Sequence, residues 1–432
     1  MRHQIIDRRG KPVCLPKNAA QHTGRPPLLI FLIFNFASLI FIGCTKTEYR
    51  VVEDPAYIRV FNNLTYTLTL DNKEEAQPFF CMFIDPEFDA SGKPIGGLAV
   101  GDFLDKRNIY AAPNAAHAGL STSRFNPEYP GKELVPTAPI LNGFDLTNWA
   151  QIPSGRRRFL FMSRPISEVP FANLPDEQQR IVFLDTTIEL SSHEVYTLHI
   201  LQKDFTTKKN GLYVRQETFH KQAFSDTLSY VNFYNLSADG FRTALEELKL
   251  PVPGTSKSLR YGLRDTMNIF MTHIQPSTDA TGTIVQQRIP NFSYQFAGSV
   301  IRNIANPTVT PYYGFPVFLS PKNKVADQTW QYIQFFVPPI DPRTSGKYNE
   351  PPRVPTGLSE VAVKDGSFGY ILMDHAQYDP DYYLNTFFPG LTVSVHAGRD
   401  NPRTFGVVNS IEIVNGNAFL TTVQRKYAQP IY

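Results

Sequence analysis

The cysteine at position 44 is placed where a chain can receive a covalent lipid. It directly follows an apolar run, Leu28–Gly43, and six basic residues precede that run against a single acid. A positive segment, an apolar segment and a small residue before a cysteine form the layout of a bacterial lipoprotein signal peptide. The run is shorter than the roughly 20 residues of a membrane-spanning helix. We therefore predict cleavage after Gly43 and lipidation of Cys44, with an uncleaved N-terminal anchor helix as the alternative.

Charge and cysteine content follow from this prediction. The formal net charge of +3 becomes about −2 when residues 1–43 are removed, so we predict no nucleic-acid partner. Of the three cysteines, only Cys81 would then remain as a free thiol, and the fold could not contain an internal disulfide. Cys81 lies in an apolar run, Phe79–Phe83, which favours a small buried side chain over a reactive one.

The chain contains no motif typical of a catalytic or cofactor site. We find no Gly-x-Ser-x-Gly, His-Glu-x-x-His, Walker or dinucleotide-binding sequence, and we predict no catalytic residue, no metal and no cofactor. Asp85–Gly92 spaces oxygen side chains as calcium loops do, but it lacks the distant bidentate acid and indicates an ordinary acidic turn. His199 and His396 alternate with apolar neighbours on predicted strands, so we expect both to face solvent.

Aromatic and acidic residues cluster near position 380. Flat rings with polar tips suit sugar rings or a protein partner. The candidate ligand-binding residues are Trp149, Tyr378, Asp379, Tyr382 and Tyr383. The alternatives are that these aromatics only cap the ends of a β-sandwich, or that Asp374, Asp379 and Asp381 supply the carboxylates of a hydrolase or carbohydrate-active enzyme.

The elements that must position these residues are predominantly strands. The chain has 33 Phe, 21 Tyr and 35 Pro, and helix-period patterns are scarce, which predicts an all-β protein with long loops. One short helix is expected from Ala238 to about Lys249, with Ser237 as its N-cap.

An internal repeat predicts two tandem sandwich domains. Tyr57–Leu64 and Tyr230–Leu236 are similar first strands. Pro153-Ser154-Gly155 and Phe388-Pro389-Gly390 each read as a turn that leads into a strand. Ile188–Leu198 and Ile411–Thr421 match with one gap as hairpins, whose turns would be Ser191–Glu194 and Val414–Asn417.

These segments resemble the small β-sandwich family named domain of unknown function 4397. The resemblance rests on the YIRVFN strand at 57–62, the turn and strand at 152–161, and the VYTLHI strand at 195–200. Such domains often occur in tandem in Bacteroidetes-type lipoproteins, and the resemblance implies an immunoglobulin-like fold at the cell envelope, with no catalytic residues to carry over.

The predicted organisation has four parts. A signal peptide spans residues 1–43, a tether 44–55, and two immunoglobulin-like β-sandwich domains span 56–226 and 227–432. Lys46, Glu48 and Asp54 after the lipidated cysteine favour an outer-membrane or cell-surface location, with a periplasm-facing protein as the alternative. We expect a non-enzymatic binding or structural protein whose partners are the membrane, through its lipid, and a polysaccharide or envelope protein.

Overall fold

A computed structural model describes residues 51–64, 79–103, 128–244, 264–302, 310–316, 330–344, 369–378, 387–395 and 407–425, with single-residue gaps at 132, 166, 168, 226, 337, 339 and 340. All of these residues belong to one compact unit, Val51–Tyr432. Their regular structure is almost entirely β-strand, as predicted.

The first nine strands form a sandwich of two sheets. They are β1 (Pro55–Asn62), β2 (Phe79–Phe88), β3 (Pro94–Phe103), β4 (Glu128–Tyr129), β5 (Ala150–Pro153), β6 (Gly155–Arg164), β7 (Val182–Leu190), β8 (Val195–Asp204) and β9 (Lys209–Gln216). One sheet has the order β4-β1-β8-β9, with β5 also on β1, and the other has the order β3-β2-β6-β7. We call them the inner and outer sheets of the first sandwich.

The other ten strands form a second sandwich. They are β10 (Leu228–Asn235), β11 (Thr266–Thr278), β12 (Ile284–Arg288), β13 (Gln295–Ile301), β14 (Tyr313–Pro316), β15 (Trp330–Phe336), β16 (Gly369–Tyr378), β17 (Phe387–Val395), β18 (Val407–Val414) and β19 (Asn417–Gln424). Its inner sheet has the order β14-β10-β18-β19, and its outer sheet β12-β11-β15-β17-β16, with β13 also on β11.

The two inner sheets are built alike. β1 runs parallel to β8, which forms an antiparallel pair with β9; β10 likewise runs parallel to β18, which pairs antiparallel with β19. The first-strand repeat is therefore confirmed. In register, Tyr57 lies opposite Val195, and Tyr230 lies opposite Val408.

Strand alternation gives each sandwich its own apolar core. In β1, Ile58 and Val60 point into the first core, where they meet Met82 and Phe161 from the outer sheet. The second core is made in the same way from β10, β11, β15 and β18. Residues at alternate positions of one strand face opposite sides of its sheet.

The alternate positions of the inner sheets are buried too, because the two inner sheets pack against each other. Tyr57 and Val195 of the first sandwich share a cluster with Val408 and Val423 of the second. Farther along the strands, Leu201 packs with residues of β10, β18 and β19 in another cluster. The four sheets therefore form a stack, and its two middle sheets are buried on both faces. We call the contact between them the junction.

Two of the predicted turns are wrong. β7 and β8 belong to different sheets, so Ser191–Glu194 is a crossover between sheets and not a hairpin turn. Phe388-Pro389-Gly390 lies inside β17, where Gly390 is opposite Gln334 of β15. The hairpin at Val414–Asn417 is confirmed, and Asn415 and Gly416 at its tip have φ angles of 46° and 81°. Positive φ at both central residues is the geometry of a type I′ turn.

The predicted helix from Ala238 to Lys249 is only partly covered by the described residues. Ala238–Ala244 contains a β-bridge from Asp239 to Asp204 and then turns; residues 245–249 lie outside the described part. Within the described residues the helical segments are short 3-10 turns, Phe171–Asn173, Asp176–Gln179 and Phe219–Lys221. None of the described helical segments is long and apolar enough to cross a membrane.

Candidate functional site

The predicted ligand-binding residues fall in different places. Trp149 lies just before β5 in the interior, with 1% of its surface exposed, so its ring does not present a face to a ligand. Tyr378 is the last residue of β16, and the placement of its side chain is outside the description. Cys44, Asp379, Tyr382 and Tyr383 also lie outside the described residues, and their roles stay predictions.

Trp149 lies in an apolar cluster of the junction, and an arginine covers one face of its ring. The guanidinium carbon of Arg59 lies 3.8 Å from the centre of the Trp149 ring and 5.0 Å from that of Phe61. A guanidinium over an aromatic face is attracted by the ring's negative face, and more strongly where water is excluded. Arg59 lies at an alternate position of β1 that faces the second sandwich and is 1% exposed.

Arg59 belongs to a buried ion cluster at the middle of the junction. Its Nε donates to Thr197 Oγ1 at 3.1 Å, and its Nη2 lies 3.5 Å from Glu217 Oε1. Thr197 Oγ1 also donates to Glu217 Oε1. Glu217 follows β9, so these three residues come from three neighbouring strands of one sheet.

Arg215 connects this cluster to the second sandwich. It donates to Glu217 Oε1 from Nε at 3.0 Å and from Nη2 at 2.8 Å. Its Nη1 donates to Glu412 Oε1 on β18 at 2.6 Å. The Arg215 guanidinium carbon also lies 4.7 Å from the ring centre of Tyr234, and Thr421 donates to Glu412.

Burial and charge act in opposite directions on the two arginines. Burial lowers the pKa of Arg59 to about 10, and Glu217 opposes this change. Burial also lowers the pKa of Arg215, but Glu217 and Glu412 outweigh it and hold that pKa well above its ordinary value. Both guanidinium groups are therefore charged at neutral pH. Their ion-pair partners are Glu217, which both arginines share, and Glu412.

The prediction that His199 faces solvent is wrong. It is 0% exposed, its Nδ1 lies 2.9 Å from Asn63 Oδ1, and its ring stacks on Tyr213. His199 and Thr197 alternate with the core-facing Leu198 and Ile200, so the polar face of β8 looked like a solvent face. The sequence signal for burial was the run of apolar and β-branched residues in both phases of β8, which is typical of a strand covered on both faces.

Cys81 is buried as expected, and burial raises the pKa of its thiol well above the ordinary value. The predicted acidic turn forms the tip of the β2–β3 hairpin. Asp89 Oδ1 accepts hydrogen bonds from the backbone and hydroxyl of Ser91 and from the backbone of Lys93. This carboxylate oxygen therefore orders the turn. No group of three or more metal-ligating side chains occurs among the described residues.

A shallow cleft lies at one end of the second sandwich. It encloses about 190 Å³ that is partly open to solvent, and Arg302 on its wall pairs with Asp265 at 2.7 Å and Asp239 at 3.1 Å. Because Arg302 on the cleft wall is paired with two carboxylates of the same chain, the junction is the better-defined feature of the described residues.

No protein-family model matches the chain, and no curated protein matches it. Among solved structures, the chain is similar to a “putative cell adhesion protein” from Bacteroides fragilis. The similarity covers 88% of this chain and 100% of that one, with 10% sequence identity and a TM-score of 0.16. A likeness at that level carries no argument about fold or function.

Proposed function

We propose that the chain is a lipid-anchored protein of the cell envelope with a binding or structural role and no catalytic one. The apolar run before Cys44 supports the anchor. The observation that supports the structural role is the junction, where Arg215 of the first sandwich is bonded to Glu412 of the second inside a buried contact. Buried ion pairs add little net stability compared with apolar packing, and in some proteins they fix one arrangement of the parts they join; we propose that this pair does so here. If the two sandwiches are held in one arrangement, an anchored chain would present a surface at a fixed orientation to the membrane.

The surface carboxylates of the outer sheet support a non-catalytic role. Asp85 pairs with Arg157 at 2.9 Å, Asp185 with Arg158 at 2.7 Å, and Asp102 with Arg164. A general acid or base needs a carboxyl group that is free to exchange a proton with a substrate. The first two pairs connect neighbouring strands of the outer sheet, and the pair of Asp102 and Arg164 connects β3 with β6 across the intervening β2.

We assign recognition to the aromatic segment that begins at the last residue of β16. Tyr378, Tyr382 and Tyr383 offer rings with hydroxyl tips, and Asp379 lies between them in the sequence. The chemistry fits a polysaccharide or an envelope protein. An outer-membrane or surface location would give this segment access to either partner.

The anchor is tested by metabolic labelling with a radioactive fatty acid in cells that produce the full chain. Label should be incorporated by the wild type and by Cys14→Ala, and it should be lost in Cys44→Ala. Cys14 lies before the apolar run and is removed by the predicted cleavage, so it is the matched control. Equal labelling of all three proteins would contradict the proposal.

The recognition role is tested on an array of polysaccharides and envelope fractions. Binding should be saturable and should be lost when Tyr378, Tyr382 and Tyr383 are replaced by Ala, because the stacking faces are then gone. The matched control replaces the same three residues by Phe, which keeps the rings and removes only the hydroxyls. Binding that survives the Ala triple variant would place recognition elsewhere, and release of cleaved sugar would favour the hydrolase.

A further inference from the structure

The outer sheet of the first sandwich is apolar on both of its faces. In β2, Met82 points into the first core, while Cys81 and Phe83 point to the opposite face. Met162 and Leu160 of β6 lie directly opposite Cys81 and Phe83. We call these four residues the apolar strip; each is at most 4% exposed. The second face of an antiparallel sheet commonly faces water, so an apolar strip there needs a cover.

The connection between β6 and β7 supplies this cover. We call its residues Val169–Ile181 the lid. Phe171 and Leu174 of the lid pack in one cluster with the apolar strip. The ring centres of Phe171 and Phe83 are 5.8 Å apart at an interplanar angle of 68°, an edge-to-face contact. The lid therefore keeps one apolar face of the first sandwich out of water.

The lid is largely bonded to itself, and its outer side faces solvent. Its regular structure consists of two short 3-10 turns. Gln179 Nε2 donates to the carbonyl groups of Ala172 and Leu174, so this side chain ties the two turns together. Val169 and Ile181 at the ends of the lid are 44% and 45% exposed. A segment with few buried side chains and internal hydrogen bonds is the kind of unit that opens locally.

One carboxylate of the sheet fastens the start of the lid. Oδ2 of Asp102 on β3 accepts the Phe171 N–H at 2.9 Å. Oδ1 of the same carboxylate accepts Nη1 of Arg164. Nη2 of that guanidinium donates to the Val169 carbonyl at 2.6 Å. Asp102 therefore holds the lid directly at Phe171 and, through Arg164, at Val169.

We infer that the lid opens as a unit over the apolar strip while both sandwiches stay folded, and that Asp102 is its latch. Loss of the Asp102 charge would weaken both of its contacts at once, because a charged acceptor makes the stronger hydrogen bond. The first core lies on the other face of the sheet and keeps its own packing. The lid thus controls access to the Cys81 thiol and to the strip beside it. This device is independent of the anchor and of the recognition role.

The Cys81 thiol reports the opening of the lid. The full chain would be treated with a maleimide in native buffer and at low urea concentrations, and the labelled peptide that contains Cys81 would be quantified by mass spectrometry. A local opening exposes little surface, so the labelling rate should be nearly constant at low urea. A rate that rises from the start with the urea dependence of global unfolding would overturn the inference. A thiol that stays unlabelled until the chain unfolds would overturn it too.

Two asparagine variants test the latch. Asp102→Asn keeps the size of the side chain and removes its charge. We expect about ten-fold faster labelling of Cys81, still nearly independent of urea, as the loss of charge-assisted hydrogen bonds predicts. Asp85→Asn is the matched control, because Asp85 on the same sheet bonds to Arg157 and to the Arg158 N–H. Equal labelling rates in the two variants would overturn the inference.

Proteolysis gives a second readout that needs no thiol. Arg180 is an exposed residue near the end of the lid. Trypsin would be added to the folded full chain, and cleavage after Arg180 would be followed by mass spectrometry. Cleavage of a folded chain tracks the population of the locally open state, so Asp102→Asn should speed this cut about ten-fold and Asp85→Asn should leave it unchanged. The same rate of this cut in the wild type and in Asp102→Asn would contradict the inference.

Discussion

Arginine side chains inside the junction combine two kinds of contact, ion pairs with carboxylates and stacking on aromatic rings. Arg59 has a carboxylate on one side and the face of Trp149 on the other, and Arg215 has two carboxylates and the face of Tyr234. An isolated buried charge costs several kcal/mol, and only partners with good geometry offset that cost. The pairing of two arginines with two glutamates is therefore what allows β1, β9 and β18 to carry charge in an interior.

A buried histidine in the second sandwich gives the stability of the protein a pH dependence. His273 on β11 is 0% exposed and packs between Phe292 and Phe315. Burial lowers its pKa to about 4. A histidine of the unfolded chain takes up its proton near pH 6.5, so between about pH 6.5 and 4 the unfolded state binds more protons than the folded state.

The free energy of unfolding should therefore fall as the pH falls from 6.5 to 4, and His273 should have no such effect above about pH 6.5. Its share of the slope should be about 1.4 kcal/mol for each pH unit. Urea denaturation at a series of pH values should show a shallower slope for His273→Leu. Met271→Leu, also buried on β11, is the control for repacking and should keep the wild-type slope. An unchanged slope in His273→Leu would show that this residue is not responsible; His220, whose pKa burial also lowers, would then be examined.

At the scale of single elements, residue alternation predicts where the strands lie better than it predicts what surrounds them. Alternation in β1 and β10 predicts both strands correctly, because the middle of one phase is apolar in each strand, with Ile58 and Val60 in β1 and Val231 and Phe233 in β10. The same alternation in β8 gave the wrong environment for His199, since a polar phase is expected to face solvent and here it faces another sheet. The apolar and β-branched residues in both phases of β8 indicate that its second face is covered, but they do not show which element covers it. That information belongs to the packing of the two sandwiches.

Turns carry a clearer local signal, and one of them reveals a repeat that strand comparison missed. Asp89–Lys93 and Asp279–Thr283 both have Asp, Ala, a hydroxyl residue and Gly in order. In the second turn Asp279 Oδ1 accepts hydrogen bonds from the backbone of Thr281 and Thr283, as Asp89 does in the first. Each turn connects the first two strands, in chain order, of an outer sheet, so the hairpin β2–β3 corresponds to the hairpin β11–β12.

The two predicted four-residue turns prove to be different connections. Ser191–Glu194 is a four-residue crossover between sheets, whereas Val414 and Asn417 belong to β18 and β19 and leave a two-residue hairpin loop between them. Asn415-Gly416 is a strong hairpin signal because both residues accept positive φ. Ser191–Glu194 lacks that dipeptide, and only His193 among its residues has a positive φ, of 61°. The predicted match of Ile188–Leu198 with Ile411–Thr421 is therefore shifted by one strand, because β8, and not β7, corresponds to β18.

At the scale of the molecule, two sandwiches with separate cores behave as one body if the junction is as strong as a core. Val51–Tyr432 is one compact unit, and two apolar clusters flank the ion cluster across the contact. The boundary between residues 226 and 227 stays a prediction. The described strands of each sheet nevertheless all come either before this boundary in the sequence or after it.

Removal of Arg215 tests this coupling. Arg215→Ala would leave Glu217 and Glu412 buried without their shared positive charge, and breaking a buried pair in this way costs about 3–5 kcal/mol. The exposed pair of Arg158 and Asp185 provides a matched control, since its side chains are 45% and 39% exposed. Arg158→Ala should cost no more than about 1 kcal/mol.

Fluorescence can report the two sandwiches separately, because the chain has two tryptophans, Trp149 in the first and Trp330 on β15 in the second. Urea unfolding would be followed in Trp149→Phe and in Trp330→Phe, each with and without Arg215→Ala. We expect both probes to give one midpoint in the parent proteins, and Arg215→Ala to lower both midpoints together. If Arg215→Ala moved only the Trp149 signal, the second sandwich would be stable without the junction. The ion cluster would then be a feature of the first sandwich, and the display of a surface at a fixed orientation would lose its physical basis.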